Sequence, residues 1–233
     1  MRICGLEGVS LIDYPGRIAS VVFLGGCNFL CPFCQNPDLV LRPESLTALD
    51  TNDVLRAVLD RKGLVDGVVV TGGEPLIDGG ALFGLLRMLG NAGLAVKLDT
   101  NGYEVETLSE VLAAGLVDYV AMDVKTSPEK YEAATGRTLD VQRILRAIAA
   151  IRESGIDHEF RTTCVPGLVD QDDIMTIGAL LGPRERFVVQ QFRATLNLID
   201  PSYAGVQPYS AEEIRSFADA VRPMVGSVGL RGL

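Results

Sequence analysis

Six times along the chain, a short run of apolar and β-branched residues leads into a turn rich in Gly or polar residues. A longer stretch with helical periodicity then follows. The runs are Ile18–Leu24, Gly67–Val70, Ala95–Leu98, Asp118–Met122, Glu159–Cys164 and Phe187–Gln191. They lack the polar alternation of half-exposed strands, so both faces are expected to be covered. Helices are expected over 51–61, with Thr51 or Asn52 as cap, and over 80–92, with Leu82, Leu85, Leu86 and Leu89 on one face. Further helices are expected over 105–114, closed by Gly115, over 141–154, stopped by Gly155, and over 171–181 and 211–221. Strands that alternate with helices in this way form a parallel sheet with right-handed crossovers. Six units are fewer than the eight of a closed barrel. The expected fold is therefore α/β: a partial (β/α)6, TIM-like barrel with mainly parallel strands, a doubly wound sheet being the alternative. One domain over 1–233 is expected, with 1–17 as a lead-in segment and 18–224 as the β/α core.

Composition is consistent with this. A chain of 233 residues, 48% hydrophobic and 22% charged, is ordinary globular protein and long enough for a barrel as one domain. No apolar run approaches the roughly 18 residues of a membrane span. The N-terminal stretch lacks the basic-then-apolar order of a signal peptide, so a cytoplasmic protein is expected. The charge balance, 21 − 30 = −9, argues against nucleic acid as a general partner. The lone histidine, His158, disfavours multi-histidine metal centres and leaves one candidate for a Ser/His/Asp triad.

Five cysteines are present, and three fall within eight residues: Cys27, Cys31 and Cys34. An odd, clustered set is not a disulfide framework, and in a cytoplasmic protein it points to metal or redox chemistry. The segment runs Gly25-Gly26-Cys27-Asn28-Phe29-Leu30-Cys31-Pro32-Phe33-Cys34. Three readings follow. The cysteines are buried as small hydrophobes; or they bind zinc, with His158 or Cys164 as fourth ligand; or they hold three irons of a [4Fe–4S] cluster and leave the fourth iron open. The zinc reading leaves Thr71-Gly72-Gly73-Glu74-Pro75 and Asp99-Thr100-Asn101-Gly102 without a purpose. Both motifs, like Asp123-Val124-Lys125 and Gln190-Gln191-Phe192, follow an expected strand, where the active-site rim of a parallel α/β fold lies.

The spacing C-x3-C-x-aromatic-C, with Phe33 before the last cysteine, resembles the signature of the radical S-adenosylmethionine (SAM) enzymes. Together with Ser10-Leu11-Ile12-Asp13-Tyr14-Pro15-Gly16, Gly72-Gly73-Glu74-Pro75, Asp99-Thr100-Asn101-Gly102 and Met122-Asp123-Val124-Lys125, it resembles the glycyl-radical-enzyme activases. Within that group the anaerobic ribonucleoside-triphosphate reductase activating proteins are the most similar. The resemblance implies that Cys27, Cys31 and Cys34 bind a [4Fe–4S] cluster whose fourth iron is chelated by SAM. It implies SAM contacts from Phe33, Gly72, Gly73 and Glu74, the glycines letting backbone approach the ligand and Glu74 neutralising its ammonium. Asp99, Asn101, Asp123 and Lys125 would lie near the SAM carboxylate and ribose, with Lys125 as counter-ion and Asp99 and Asp123 sharing a monovalent cation. Thr163 and Gln191 would flank the adenine, Gln191 standing where some relatives have a histidine.

Each assignment has a plainer alternative. Glu74 is also a first-turn acid favoured by a helix dipole. Asn101-Gly102 is also a common turn dipeptide, and Gln191 is also a buried structural amide. Phe29 and Phe33 either belong to the core or shield the cluster. Cys4, Cys164 and His158 carry no functional assignment, Cys164 being expected in the core.

The implied activity is that of an oxidoreductase. Reductive cleavage of SAM yields a 5′-deoxyadenosyl radical, which takes a Cα hydrogen from a glycine of a partner enzyme. Anaerobic ribonucleotide reductase is the favoured partner and pyruvate formate-lyase another candidate. A radical SAM enzyme for a small molecule, such as a deazapurine synthase, is the alternative, followed by a non-catalytic metal-binding module. No catalytic side chain beyond the cluster and SAM site is expected. The chain has no second ferredoxin-type cysteine cluster, so flavodoxin or ferredoxin is the expected electron donor.

Overall fold

Eight strands hydrogen-bond into one sheet in the order in which they occur along the chain. They are β1 (Ile3–Ser10), β2 (Ala19–Leu24), β3 (Gly67–Gly72), β4 (Ala95–Thr100), β5 (Tyr119–Asp123), β6 (Asp157–Cys164), β7 (Arg186–Gln191) and β8 (Ser227–Arg231). The computed structural model describes all residues from 1 to 233. β1 pairs antiparallel with β2, and every later pairing is parallel. β1 and β8 end the sheet without pairing to each other, so the barrel is partial and open between them.

The helices are α1 (Pro37–Leu41), α2 (Thr51–Leu59), α3 (Gly79–Asn91), α4 (Val105–Ala113), α5 (Tyr131–Thr135), α6 (Val141–Ser154), α7 (Gln171–Leu181) and α8 (Ala211–Val221). No helix is long and apolar enough to cross a membrane. The expected ranges of α6, α7 and α8 are met, and Gly155 caps α6 in the left-handed conformation at φ 72°. The cap of α2 is Asp50, not Thr51 or Asn52: its carboxylate accepts from the amides of Asn52 and Asp53.

Six strands were expected and eight are present. β1 lies inside the expected lead-in, and β8 lies beyond 224, so the strand-bearing core runs from Ile3 to Arg231. Both are edge strands and only partly buried, and Gly and charge interrupt their apolar pattern. β3 and β4 also run two residues further than expected. Thr71 and Gly72 pair with Phe23 and Leu24, and Asp99 and Thr100 pair with Ala121 and Met122. The motif residues are thus held in the sheet itself.

The helices cover one face. Leu82, Leu85, Leu86 and Leu89 of α3 are fully buried against it, each stabilising the fold by roughly 1.5–3 kcal/mol. The other face is the lumen. A small apolar plug of Tyr14, Ala19, Val21 and Val69 fills one end. Toward the strand C-termini the lumen becomes charged, with buried Lys97, Glu159 and Arg161. Buried charges persist only when paired, and those pairs shape the site.

Candidate active site

The three thiols lie on the loop between β2 and α1. Gly25 donates its amide to Arg2 O and Gly26 to Leu39 O, pinning the start of the loop. The Gly72-Gly73 pair pins it from the side: Gly73 N donates to Leu24 O and Glu74 N to Gly26 O, each at 2.8 Å. A Cβ at Gly73 would lie 1.8 Å from Gly26 O, and one at Gly72 (φ 127°) 2.2 Å from Leu24 O. Both glycines line the cleft, and what demands glycine is the close packing of β3 on the thiol loop.

Cys27, Cys31 and Cys34 all line one cleft, together with Phe29 and Phe33, whose side chains are buried. The cleft holds about 740 Å³ of atom-free space, its open mouth included. Burial pushes the Cys27 thiol up to about 12 and the Cys31 thiol up to about 11. Such thiols give up their protons only to a metal or another strong cationic partner. No three Cys, His, Asp or Glu side chains converge as a single metal ion would need.

Glu74 does not line this cleft. It is 1% exposed, and its carboxylate accepts from Leu76 N, from Thr100 Oγ1 at 2.8 Å and from Asn101 N at 2.7 Å. The residue expected at the SAM ammonium is instead the buckle between the β3 and β4 turns. Burial raises its carboxyl to about 7 against these three donors. Asn101 is buried on the same buckle and reaches toward Cys27.

Asp99 and Asp123 face each other across Arg161, which the sequence reading missed. Arg161 donates through Nε to Asp123 at 2.7 Å and through its NH1 nitrogen to Asp99 at 3.1 Å. Lys97 pairs with the far side of Asp99, and Lys125 Nζ with Asp123 at 3.0 Å. The result is an alternating chain, Lys97–Asp99–Arg161–Asp123–Lys125, across β4, β5 and β6. The guanidinium already relieves the repulsion between the two carboxylates, which were expected to share a monovalent cation. A signal for Arg161 was available: Glu159 and Arg161 stand two apart, on one face of β6.

Thr163 and Gln191 lie in an adjoining cleft that opens between β1 and β8 and shares Phe33, Cys34 and Asn36 with the first. Thr163 Oγ1 accepts from Gln190 Nε2 at 3.2 Å. Gln191 donates through Nε2 to Tyr209 O at 2.7 Å, while its Oε1 is buried without any partner. Cys164 is fully buried in the core, as expected, and His158 is bound between Ile156 O and Glu185. Cys4 contacts only the backbone oxygens of Arg2 and Pro43.

A cleft of this kind at the C-terminal ends of parallel strands places the chain among the α/β barrel enzymes. The model of the Radical SAM superfamily matches residues 21–179. A pyruvate formate-lyase-activating enzyme of Clostridium pasteurianum is 31% identical over 180 residues, covering 74% of this chain and 72% of that protein. A Methanocaldococcus jannaschii protein, provisionally named a glycyl-radical enzyme activating enzyme, is 29% identical over 98% of this chain and 95% of its own. Among solved structures, SuiB of Streptococcus suis superposes with a TM-score of 0.68 at 17% identity. The match covers 91% of this chain and about half (48%) of that one, a likeness of fold. The chain belongs to the radical SAM superfamily, and within it to the enzymes of the glycyl-radical-activating type.

Membership implies a [4Fe–4S] cluster and SAM, and the residues present fit both. Three free thiols, those of Cys27, Cys31 and Cys34, line one cleft without converging on a single-ion site. An orphaned buried amide oxygen belongs to Gln191, a residue that lines the adjoining cleft.

Proposed function

We propose that this enzyme installs a glycyl radical on a partner protein, and that the partner's glycine reaches the site through the split between β1 and β8. The observation that carries this reading is the continuity of the two clefts. The side cleft, with about 1220 Å³ of atom-free space, runs from Ile12 and Asp13 past Gln190, Gln191 and Arg193 to Cys34. That volume includes its open mouth, and the cleft ends on the thiol loop at Phe33 and Cys34.

In this reading Cys27, Cys31 and Cys34 hold the cluster. Phe29 and Phe33 keep water from its protein side. Lys125, anchored by Asp123, presents its ammonium to the SAM carboxylate. Arg161 holds Asp99 and Asp123 at fixed positions for the ribose, Thr163 and Gln191 flank the adenine, and Gln191 Oε1 accepts from the adenine amine. When bound and reduced, the cluster and SAM supply the radical that removes a hydrogen atom from the glycine Cα. Electrons come from an external carrier such as flavodoxin or ferredoxin.

Anaerobic ribonucleotide reductase is the partner the motif set favours. Pyruvate formate-lyase is the second reading, favoured by the 31% relative of that specificity. The test is anaerobic reconstitution with SAM, reductant and each partner in turn. A glycyl-radical electron paramagnetic resonance signal on one partner, absent with Cys31→Ser, is the expected result. SAM cleavage with no radical on any glycine, together with turnover of a small molecule, would instead establish the small-molecule alternative.

A further inference from the structure

The three thiol sulfurs do not have equal surroundings. Cys27 Sγ accepts from the Phe29 amide at 3.4 Å and lies 4.0 Å from Asn101 Nδ2. No hydrogen bond from another residue reaches the sulfur of Cys31 or Cys34, and Cys31 has only its own amide beside it. Behind Cys27 a closed ring of hydrogen bonds and an ion pair fixes the direction of the Asn101 amide. Tyr103 N donates to Asn101 Oδ1 at 3.0 Å, and Asn101 Nδ2 donates to Asn28 Oδ1 at 2.7 Å. Asn28 Nδ2 donates to Glu104 Oε1 at 3.1 Å. Glu104 lies 3.8 Å from Arg143, whose Nε donates to Tyr103 O at 2.8 Å and closes the ring.

The two ends of the amide relay cannot change roles. The Tyr103 N–H only donates, and an ionised Glu104 only accepts. Flipping either asparagine would set donor against donor or acceptor against acceptor. Asn101 therefore keeps its NH2 toward Cys27 and Asn28, and one of the two hydrogens is left for the sulfur. The thiol of Cys27 also lies 3.9 Å from Asn28 Oδ1, a contact that needs the S–H proton. Once the sulfur is a metal-bound thiolate, only the N–H contacts remain attractive.

We propose that Asn101 is a positioning residue that aims this N–H at the Cys27 sulfur and raises the reduction potential of the cluster. The inference rests on Cys27 being a cluster ligand. N–H dipoles directed at a ligating sulfur stabilise the negative charge added on reduction, and so ease electron transfer from a weak donor. Asn101 thus acts on the cluster from behind, with its backbone held by Glu74 at 2.7 Å.

The test compares the full-length, reconstituted enzyme with Asn101→Leu, without SAM or partner. Iron and sulfide per chain, the cluster midpoint potential and the pulsed electron paramagnetic resonance spectrum with labelled asparagine nitrogen are measured. The expected result is unchanged iron, a more negative potential in the variant, and loss of the side-chain nitrogen coupling. An unchanged potential and coupling at full iron content would overturn the proposal. Should Asn101→Leu fail to retain iron, Glu104→Leu decides. It leaves Asn101 in place but removes the acceptor that orients the relay; a partial negative shift bears the proposal out and no shift overturns it. Cys27→Ser separates the two levels: full cluster retention there would overturn the ligand assignment itself.

Discussion

The guanidinium of Arg161 donates through Nε to Asp123 Oδ1 at 2.7 Å, tying β6 to the neighbouring β5. Its other arm holds Asp99. Burial alone would raise the Asp123 carboxyl, but Arg161 and Lys125 together hold it well below the usual carboxylate range. Arg161→Leu would leave two carboxylates facing each other with no cation between them. Removing one partner of a buried pair costs about 3–5 kcal/mol. The expected loss is therefore about 3 kcal/mol or more in urea unfolding of the ligand-free protein, and Arg161→Lys should lose less. A loss within about 0.5 kcal/mol would mean that solvent or ions already screen the pair.

Glu74 gives the opposite sign of pH dependence. Its folded-state value, about 7, lies above the ordinary glutamate value of 4.5. The folded state then holds a proton that the unfolded chain has released, so stability from this group is full below 4.5 and is lost as pH rises through 7. Between these limits the slope reaches at most about 1.4 kcal/mol per pH unit. Glu74→Gln carries no titrating carboxyl and should flatten the decline between pH 5 and pH 7.5, on top of a pH-independent loss from its altered donors. Unfolding curves across that range check this; parallel pH profiles for the two proteins would show that Glu74 stays ionised. Asp123, with its depressed value, acts elsewhere: its stability is present above the unfolded carboxylate range, near pH 4, and is lost as pH falls below it.

Much of this architecture was legible in the sequence, and the gaps have physical causes. The thiol loop and the motifs at the ends of β3, β4 and β5 stand out because chemistry needs those residue types at fixed spacing after buried strands. The ranges of α6, α7 and α8 follow from their apolar faces and caps. β1 and β8 escaped because an edge strand has one neighbour and little apolar pattern. Lys97 escaped because it lies mid-strand among apolar residues, and Arg161 because only the pairing of β6 with β5 sets it opposite Asp123. Glu74 was assigned to a ligand because a sequence shows the acid and not its donors, Thr100 and Asn101.

Gly73→Ala tests the clamp on the thiol loop. The added Cβ would meet the Gly26 carbonyl oxygen at 1.8 Å and Cys27 Cβ at 3.3 Å. The obstacle is backbone, so no rotamer change relieves it. Overpacking typically costs about 1–3 kcal/mol, and here the relief is displacement of the loop that carries Cys27. The variant is expected to melt lower and to retain less iron per chain after reconstitution. Full iron content would show that the loop has room to move.

Gln191→Leu isolates the ligand's share of the adjoining cleft. In the ligand-free protein the wild-type residue makes one hydrogen bond, to Tyr209 O, and leaves Oε1 buried and unsatisfied. Leucine gives up the first and removes the second, so stability should change by less than about 1 kcal/mol. With SAM bound as proposed the balance differs, because the adenine amine loses its acceptor. A neutral hydrogen bond worth about 0.5–1.5 kcal/mol corresponds to a roughly 2- to 12-fold weaker SAM affinity. Iron content should not change, since Gln191 touches no thiol. Calorimetric titration of the reconstituted protein measures the affinity. An unchanged dissociation constant would place the adenine elsewhere and leave Gln191 as a structural amide tied to Tyr209.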